Sequence, residues 1–200
     1  MLDNAKSRSL AAHVVDPIAK ALLRIGLTAS AVTMLGSIGS IVVSIVLVSQ
    51  GSFVWAGILM VPLAGADLLD GTMARISGTS GPWGAFLDST TDRITDGAIF
   101  AAFVWWAFDS SAALAVAALV ALIAGFVTSY ARAKAEAINV ECKVGVAERA
   151  ERVGGIMGAA FLAGLGVPYI LPAMIWLLAV LSSITVWQRM AVVRKALISS

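Results

Sequence analysis

Residues 67–93 read DLLDGTMARISGTSGPWGAFLDSTTDR and place four carboxylates and two arginines in a chain that is otherwise strongly apolar. Of the 200 residues, 60% are hydrophobic and 13% are charged, and the mean hydropathy is +0.93. A soluble domain usually has about half apolar residues and about a quarter charged ones. The composition therefore predicts an integral membrane protein, in which a group of acids is costly and indicates a function.

Apolar runs that are long enough to cross a bilayer occur six times, since a spanning helix needs about 20 residues. The predicted spans are Thr28–Gln50, Phe53–Ser77, Pro82–Phe108, Ser111–Arg132, Arg152–Ile170 and Pro172–Gln188. Residues 5–24 mix charged and apolar side chains at helical spacing, which is typical of an amphipathic helix lying at the membrane interface. We therefore expect one all-α membrane domain over residues 1–200, with the interfacial helix before a six-helix bundle over residues 28–188.

The basic residues are all on one side of these predicted spans. The connections Gln50–Ser52, Asp109–Ser111 and Gly166–Pro172 contain none of the 14 lysines and arginines. Because lysine and arginine are enriched on the cytoplasmic side of membrane proteins, that side is predicted to be cytoplasmic, together with both termini. The acidic stretch is then expected to face the cytoplasm from a multi-pass protein of the plasma membrane.

The acids of residues 67–93 fall on one face of each of two consecutive predicted helices. The second span carries Asp67, Asp70, Gly71 and Ala74 on one face. The third span carries Gly84, Asp88 and Asp92 at a spacing of four. The turn SGTSGP between them predicts an antiparallel hairpin, so that the two faces converge near the cytoplasmic end.

Four converging carboxylates repel one another unless they are protonated or bind cations. Oxygen ligands of this kind suit a hard divalent cation such as Mg²⁺, and two such ions can hold a phosphate group during its transfer. A cation or proton carrier is the alternative from another class of protein, because intramembrane acids also bind transported ions. A carrier predicts acids distributed through the membrane depth, whereas these acids are clustered with small residues at one end.

The pattern Asp67-x2-Asp70-Gly71-x2-Ala74-Arg75-x8-Gly84-x3-Asp88-x3-Asp92 resembles the signature of the CDP-alcohol phosphotransferases. The resemblance implies a homodimeric membrane enzyme that uses CDP-diacylglycerol and two Mg²⁺ ions, with Mn²⁺ as a substitute, and no nucleic acid. It also implies that Asp92 is the general base. The implied metal ligands are Asp67, Asp70, Asp88 and Asp92. The implied contacts with the CDP-lipid are Gly71, Ala74, Arg75, Gly81, Ser30, Ala31, Val32 and Thr33.

Basic residues at three other predicted helix ends bear on the acceptor. Several arginines in one cavity favour a phosphate over a neutral alcohol, which predicts a phosphorylated acceptor. The stretches SYARAKAE, ERAER and QR are similar to those of the actinobacterial phosphatidylinositol phosphate synthases, a resemblance that implies inositol 1-phosphate as acceptor. The residues implied to hold it are Ser129, Arg132, Lys134, Arg152 and Arg189. Glycerol 3-phosphate, which needs an anion pocket too, stays open as the alternative acceptor.

Overall fold

The structure, a computed structural model, describes residues 15–198, and within that range every regular element is a helix. Residues 15–24 form α1. The other helices are α2 (Ala29–Val43), α3 (Phe53–Ala64), α4 (Ala66–Ser77), α5 (Pro82–Ser110), α6 (Ala112–Ala137), α7 (Arg149–Gly164) and α8 (Ile170–Ile198). A π-helical turn, Ser44–Val48, extends α2. The prediction of an all-α protein is confirmed for the described residues.

Four helical segments of the described chain are long and apolar enough to cross a membrane. They are Ala29–Val48, Phe53–Ser77, Ala112–Ala137 and Ile170–Ile198. The remaining predicted spans correspond to α5, which carries several charged residues in its first half, and to α7, which has only 16 residues. Four of the six predicted spans thus correspond to helical segments that are long and apolar enough to cross a membrane.

Large apolar side chains are exposed along all four of these segments, which is the pattern expected for a surface that faces lipid. Examples are Leu35, Val61, Val116 and Val180, each of which is more than half exposed. Soluble proteins rarely expose extended apolar surface of this kind. The exposure therefore agrees with the composition, and both indicate a membrane protein.

The last two predicted spans differ from the observed helices at the turn between them. Helix α7 ends at Gly164, and residues Gly166 and Tyr169 have positive φ angles of 95° and 58°, which interrupts the helix. Helix α8 begins at Ile170, before the predicted start at Pro172, because proline is tolerated in the first turn of a helix. It continues well beyond the predicted end, to Ile198.

The predicted interfacial helix over residues 5–24 lies partly outside the described residues. Within the described part, α1 is helical over residues 15–24. Its Ala19 is fully buried, and Leu22 and Leu23 pack against the same core, while Ile18 is exposed. One face of this helix is therefore packed against protein.

The described chain divides into two compact units. The first comprises residues 15–42 and Ile58–Thr95, and its core is Ala19, Val32, Ala66 and Met73. The second comprises Val43–Gly57 and residues 96–198. In this second unit α6 packs along α8, and the ring of Phe53 is stacked on that of Phe103 with centroids 6.1 Å apart.

Candidate functional site

Helix α4 starts in a position that brings its acids close to α2. Pro62 lies inside α3 and cannot donate the backbone hydrogen bond of a regular helix, and α3 ends at Ala64. Helix α4 then begins at Ala66, so Asp67 lies in its first turn, where free backbone N–H groups favour a carboxylate.

The two helices are in close contact because Gly36 of α2 has no side chain. A Cβ atom at Gly36 would lie only 2.7 Å from the Cβ of Ala66. Thr33 is one turn before Gly36, and Asp70 is one turn after Ala66. This antiparallel contact therefore places Thr33 beside Asp70.

The turn that follows α4 has the geometry that its sequence predicts. Gly78 ends the helix in the left-handed conformation with φ of 68°, which glycine adopts without a steric cost. The N–H of Thr79 donates to the carbonyl of Ala74 at 3.0 Å, which completes the cap. Pro82, whose fixed φ suits a first helical position, begins α5. The turn connects the two acid-bearing helices within the first unit.

Three of the four predicted metal ligands converge. Asp67, Asp70 and Asp88 each offer a carboxylate oxygen, and these three oxygens lie within 4.8 Å of one another. Asp70 is buried, while Asp67 and Asp88 are exposed. Three carboxylates at this separation repel one another in the absence of a cation. Their oxygen-only chemistry fits Mg²⁺ or Mn²⁺, so the cluster is compatible with divalent metal binding.

Thr33 contacts this cluster directly, a role that the sequence analysis missed. Its hydroxyl donates to Oδ2 of Asp70 at 2.5 Å, and the pair is buried. The same hydroxyl lies 3.1 Å from the carbonyl of Ala29, but it has one hydrogen, which the shorter, charged acceptor takes. Thr33 therefore orients the buried carboxylate of the cluster.

Asp92 does not belong to the group of three carboxylates. It lies one turn beyond Asp88 on α5, and its Oδ2 is 3.5 Å from Nη2 of Arg93. Its side chain is 17% exposed. A partly buried carboxylate one turn from Asp88 has oxygens that can accept a proton.

The small residues predicted to contact the CDP-lipid leave open space beside the acids. A Cβ atom at Gly71 or at Gly81 would meet no atom within 4 Å. Ala74 is half-buried, one turn after Asp70. Arg75 is exposed, and its Nη2 donates to Oγ1 of Thr72 at 2.9 Å. Protein packing therefore does not require a glycine at position 71, which is what is expected if a ligand occupies the space.

The segment Ser30–Thr33 forms the start of α2. Oγ1 of Thr28 accepts the N–H of Ala31 at 3.2 Å and caps the helix. The side chain of Val32 is buried in the core of the first unit, so it is not available to a ligand. Ser30 and Ala31 are half-buried.

Two of the predicted acceptor residues are buried in the second unit. Arg152 and Arg189 are only 2% and 3% exposed. Nε and Nη1 of Arg189 donate to the carbonyls of Val144 and Thr128, at 2.9 and 2.7 Å. Nη1 of Arg152 donates to the carbonyl of Ala147 at 2.9 Å. Backbone carbonyls thus hold both guanidinium groups in fixed orientations.

The other predicted acceptor residues lie on α6. Oγ of Ser129 donates to the carbonyl of Gly125 at 3.2 Å. Arg132 forms an exposed ion pair with Glu136, with Nε and Oε1 3.0 Å apart, and Lys134 is exposed. These three residues are more accessible than Arg152 and Arg189.

Asp96 is a further acid that the sequence analysis did not assign. Its Oδ1 accepts from Nε of Arg149 at 3.1 Å, and its Oδ2 lies 3.9 Å from Nη2 of Arg152. Gly125 makes room for Arg152, because a Cβ atom there would lie 3.3 Å from its Nε. The sequence signal that could have identified Asp96 is its position four residues after Asp92, which continues the spacing of the acids on α5.

A family model described as CDP-alcohol phosphatidyltransferase matches residues 26–195. The chain belongs to this family. This CDP-alcohol phosphatidyltransferase is 43% identical over 191 residues to the phosphatidylinositol phosphate synthase of Mycobacteroides abscessus. The aligned residues cover 94% of this chain and 87% of that relative. The family resemblance inferred from the acidic hairpin is confirmed, and so is the assignment to an enzyme class that synthesises phospholipids.

Solved structures of phosphatidylinositol phosphate synthase from Mycobacterium tuberculosis are similar to this CDP-alcohol phosphatidyltransferase. The structure with CDP-DAG bound matches with a TM-score of 0.87 and 38% identity, over 90% of this chain and 94% of that one. The structure in complex with manganese and citrate matches with a TM-score of 0.86 and 37% identity, over 90% and 88% of the two chains.

Proposed function

We propose that this membrane enzyme transfers the phosphatidyl group of CDP-diacylglycerol to a hydroxyl of inositol 1-phosphate, which gives phosphatidylinositol phosphate and CMP. The observation that carries the proposal is the 43% identity to a phosphatidylinositol phosphate synthase over nearly the whole of both chains. The convergent carboxylates of Asp67, Asp70 and Asp88 support it, because their arrangement is compatible with the divalent metal ions that this chemistry uses.

In this proposal Asp67, Asp70 and Asp88 hold two Mg²⁺ ions, or Mn²⁺ in their place, and Asp92 provides a further ligand. When bound, the ions neutralise the pyrophosphate of the donor and the charge that develops on departing CMP. Thr33 fixes the carboxylate of Asp70, and this contact pre-arranges one ligand.

The reacting atoms are the acceptor hydroxyl oxygen and the phosphorus that bears diacylglycerol. The oxygen forms a new bond to that phosphorus as the bond to the CMP phosphate breaks. Asp92 accepts the hydroxyl proton, a role that suits a carboxylate positioned near the reacting oxygen. Gly71, Ala74 and Gly81 leave space for the cytidine, and Arg75 contacts a donor phosphate. Ser30, Ala31, Val32 and Thr33 form the neighbouring start of α2, where the side chain of Val32 is buried and its N–H donates to the carbonyl of Thr28.

The acceptor phosphate is proposed to bind a group of one hydroxyl and four cations. These are Ser129, Arg132, Lys134, Arg152 and Arg189. Support comes from the fixed guanidinium groups of Arg152 and Arg189, which carbonyl hydrogen bonds orient in a buried environment. A guanidinium has five N–H donors, so the two carbonyl bonds of Arg189 use only part of its capacity.

We further propose that residues 1–200 act as one domain with six spans, as a homodimer in the plasma membrane. Both termini and the acidic cluster face the cytoplasm in this arrangement. The distribution of all 14 lysines and arginines on one side of the predicted spans supports this orientation, and the homodimer rests on the family resemblance.

The acceptor is tested with purified full-length protein in nanodiscs that contain CDP-diacylglycerol and Mg²⁺. We measure CMP release with inositol 1-phosphate, glycerol 3-phosphate and unphosphorylated inositol supplied separately. Turnover is expected with inositol 1-phosphate. Turnover with glycerol 3-phosphate alone would replace the proposed acceptor by the alternative one.

The role of Asp92 is tested with Asp92→Asn, which keeps the shape of the side chain and removes its basicity. General-base catalysis contributes about 10²- to 10⁴-fold, so CMP release should fall by that factor. CDP-diacylglycerol should still raise the melting temperature of the variant, because the lipid's main contacts are retained. An unchanged rate would exclude Asp92 as the base.

A further inference from the structure

The linker between α6 and α7, residues 138–148, is attached to α8 by a buried hydroxyl. Thr185 is fully buried, and its Oγ1 accepts the N–H groups of Val146 and Ala147 at 3.2 and 3.1 Å. The same hydroxyl donates to the carbonyl of Leu181 at 2.9 Å. A hydroxyl offers one hydrogen and two acceptor positions, so all three are used.

Gly145 fits closely against this threonine. Its φ angle is 148°, a conformation that side chains with a Cβ rarely adopt. A Cβ atom at this position would lie 2.5 Å from Cγ2 of Thr185. The linker backbone and Thr185 are therefore complementary both in shape and in hydrogen bonding.

Two arginines fix the same stretch of backbone from either side of this contact. Arg189, one turn after Thr185 on α8, donates to the carbonyl of Val144. Arg152 donates to the carbonyl of Ala147. The chain then enters α7 at Arg149, so the position of residues 144–147 determines where α7 starts.

We propose that Thr185 and Gly145 form a lock that positions Arg152 and Arg189, through the carbonyls of Ala147 and Val144, for the phosphate of the acceptor. Thr185 is a positioning residue, since it acts through the linker and not by touching substrate. Side chains that are ordered before binding lose less entropy when the ligand arrives, which raises the affinity for the acceptor. The inference rests on the proposed acceptor site, and it adds to that site the element that holds its arginines.

The lock itself is tested through Cys142, the single cysteine of the chain. Cys142 lies in the same linker and is 2% exposed, so its alkylation by N-ethylmaleimide reports opening of the linker. In substrate-free full-length protein, Thr185→Val should speed alkylation about tenfold or more, because two buried N–H groups lose their acceptor. Thr185→Ser keeps the hydroxyl and should remain slow.

Ser182→Ala is the matched control. Ser182 is also fully buried on α8, and its hydroxyl has no hydrogen-bond partner within residues 15–198. Its replacement should leave the alkylation rate of Cys142 unchanged. Equal rates in Thr185→Val and wild type would show that the lock does not hold the linker, and would overturn the proposal.

The functional consequence is tested by steady-state kinetics. Thr185→Val should raise KM for inositol 1-phosphate about tenfold, with kcat and KM for CDP-diacylglycerol changed less than twofold, and Thr185→Ser should restore the wild-type value. A purely structural role would instead lower kcat through loss of active enzyme. Unchanged acceptor KM in a variant with fast alkylation would overturn the proposal.

A second variant covers the case in which Thr185→Val does not fold. Gly145→Ala introduces the clash with Cγ2 of Thr185 and should produce the same two effects. The proposed acceptor is judged separately, on the wild-type enzyme. If that enzyme uses only glycerol 3-phosphate, the proposed function fails, and a raised KM for glycerol 3-phosphate in the variants would still support the lock.

Discussion

Replacement of Gly71 by alanine should make the protein more stable and the enzyme worse. Gly71 lies in the middle of α4, next to Asp70, and a Cβ atom there would meet no protein atom within 4 Å. Alanine in a helix interior is more favourable than glycine by about 0.8–1.0 kcal/mol. The Gly71→Ala substitution should therefore stabilise the ligand-free protein.

The ligand-bound enzyme should respond in the opposite direction. If the cytidine occupies the space beside Gly71, the new methyl group overpacks the complex, at a cost of about 1–3 kcal/mol. Since 1.4 kcal/mol corresponds to about a factor of ten, KM for CDP-diacylglycerol should rise about 5- to 150-fold. The KM for the acceptor should change much less.

The assay combines thermal unfolding in detergent, with and without CDP-diacylglycerol, with CMP-release kinetics. Gly158→Ala is the matched control, because Gly158 also lies in a helix and also has open space at its Cβ position. It should gain similar stability without a change in KM. A Gly71→Ala enzyme that is more stable and has a wild-type KM for CDP-diacylglycerol would refute the assignment of this space to the nucleotide.

Three further predictions concern the acidic cluster and its support. Thr33→Val should weaken Mn²⁺ binding about 10- to 100-fold, measured by electron paramagnetic resonance titration, because Asp70 loses its buried hydrogen bond; unchanged affinity would contradict the orienting role. Asp67→Asn should raise the melting temperature of metal-free protein, because it relieves the repulsion among the three carboxylates. The same variant should gain less stability from added Mn²⁺ than the wild type does. A lower melting temperature both with and without Mn²⁺ would argue against the cluster. Gly36→Ala should lower the free energy of unfolding by about 1–3 kcal/mol, because its methyl group would clash with Ala66. Adding Ala66→Gly to that variant should recover part of the loss. Additive losses in the double variant would show that the two residues are not in contact.

The sequence predicted the acidic hairpin well because its information is local. Helical spacing places Asp67 and Asp70 on one face, and the glycine and proline of the following turn reverse the chain. The cost of burying acids in an apolar chain then indicates a cation site without reference to any other helix. The all-α class likewise followed from the length of each apolar run, which is also local information.

The contacts that the sequence did not reveal join residues far apart in the chain. Thr33 reaches Asp70 across 37 positions, because a glycine on α2 allows an alanine of α4 to approach. Thr185 accepts hydrogen bonds from a linker 38 and 39 positions earlier. A single threonine in an apolar helix gives no local signal of either role. The start of α8 was also mispredicted, at Pro172, two residues after its observed start at Ile170.

In the proposed function, the environment of Arg189 favours a phosphorylated acceptor over a neutral alcohol. Its guanidinium is buried, and the two carbonyls that it contacts orient its charge without neutralising it. Its ion-pair partner among residues 15–198 is Glu148, whose Oε1 lies 3.9 Å from Nη2 of Arg189 on a side chain that is 51% exposed, so water screens the pair. A buried charge whose ion-pair partner is distant and screened remains costly, and a phosphate dianion would offset that cost by charge-assisted hydrogen bonds. Unphosphorylated inositol cannot supply this compensation, because its hydroxyl groups carry no charge.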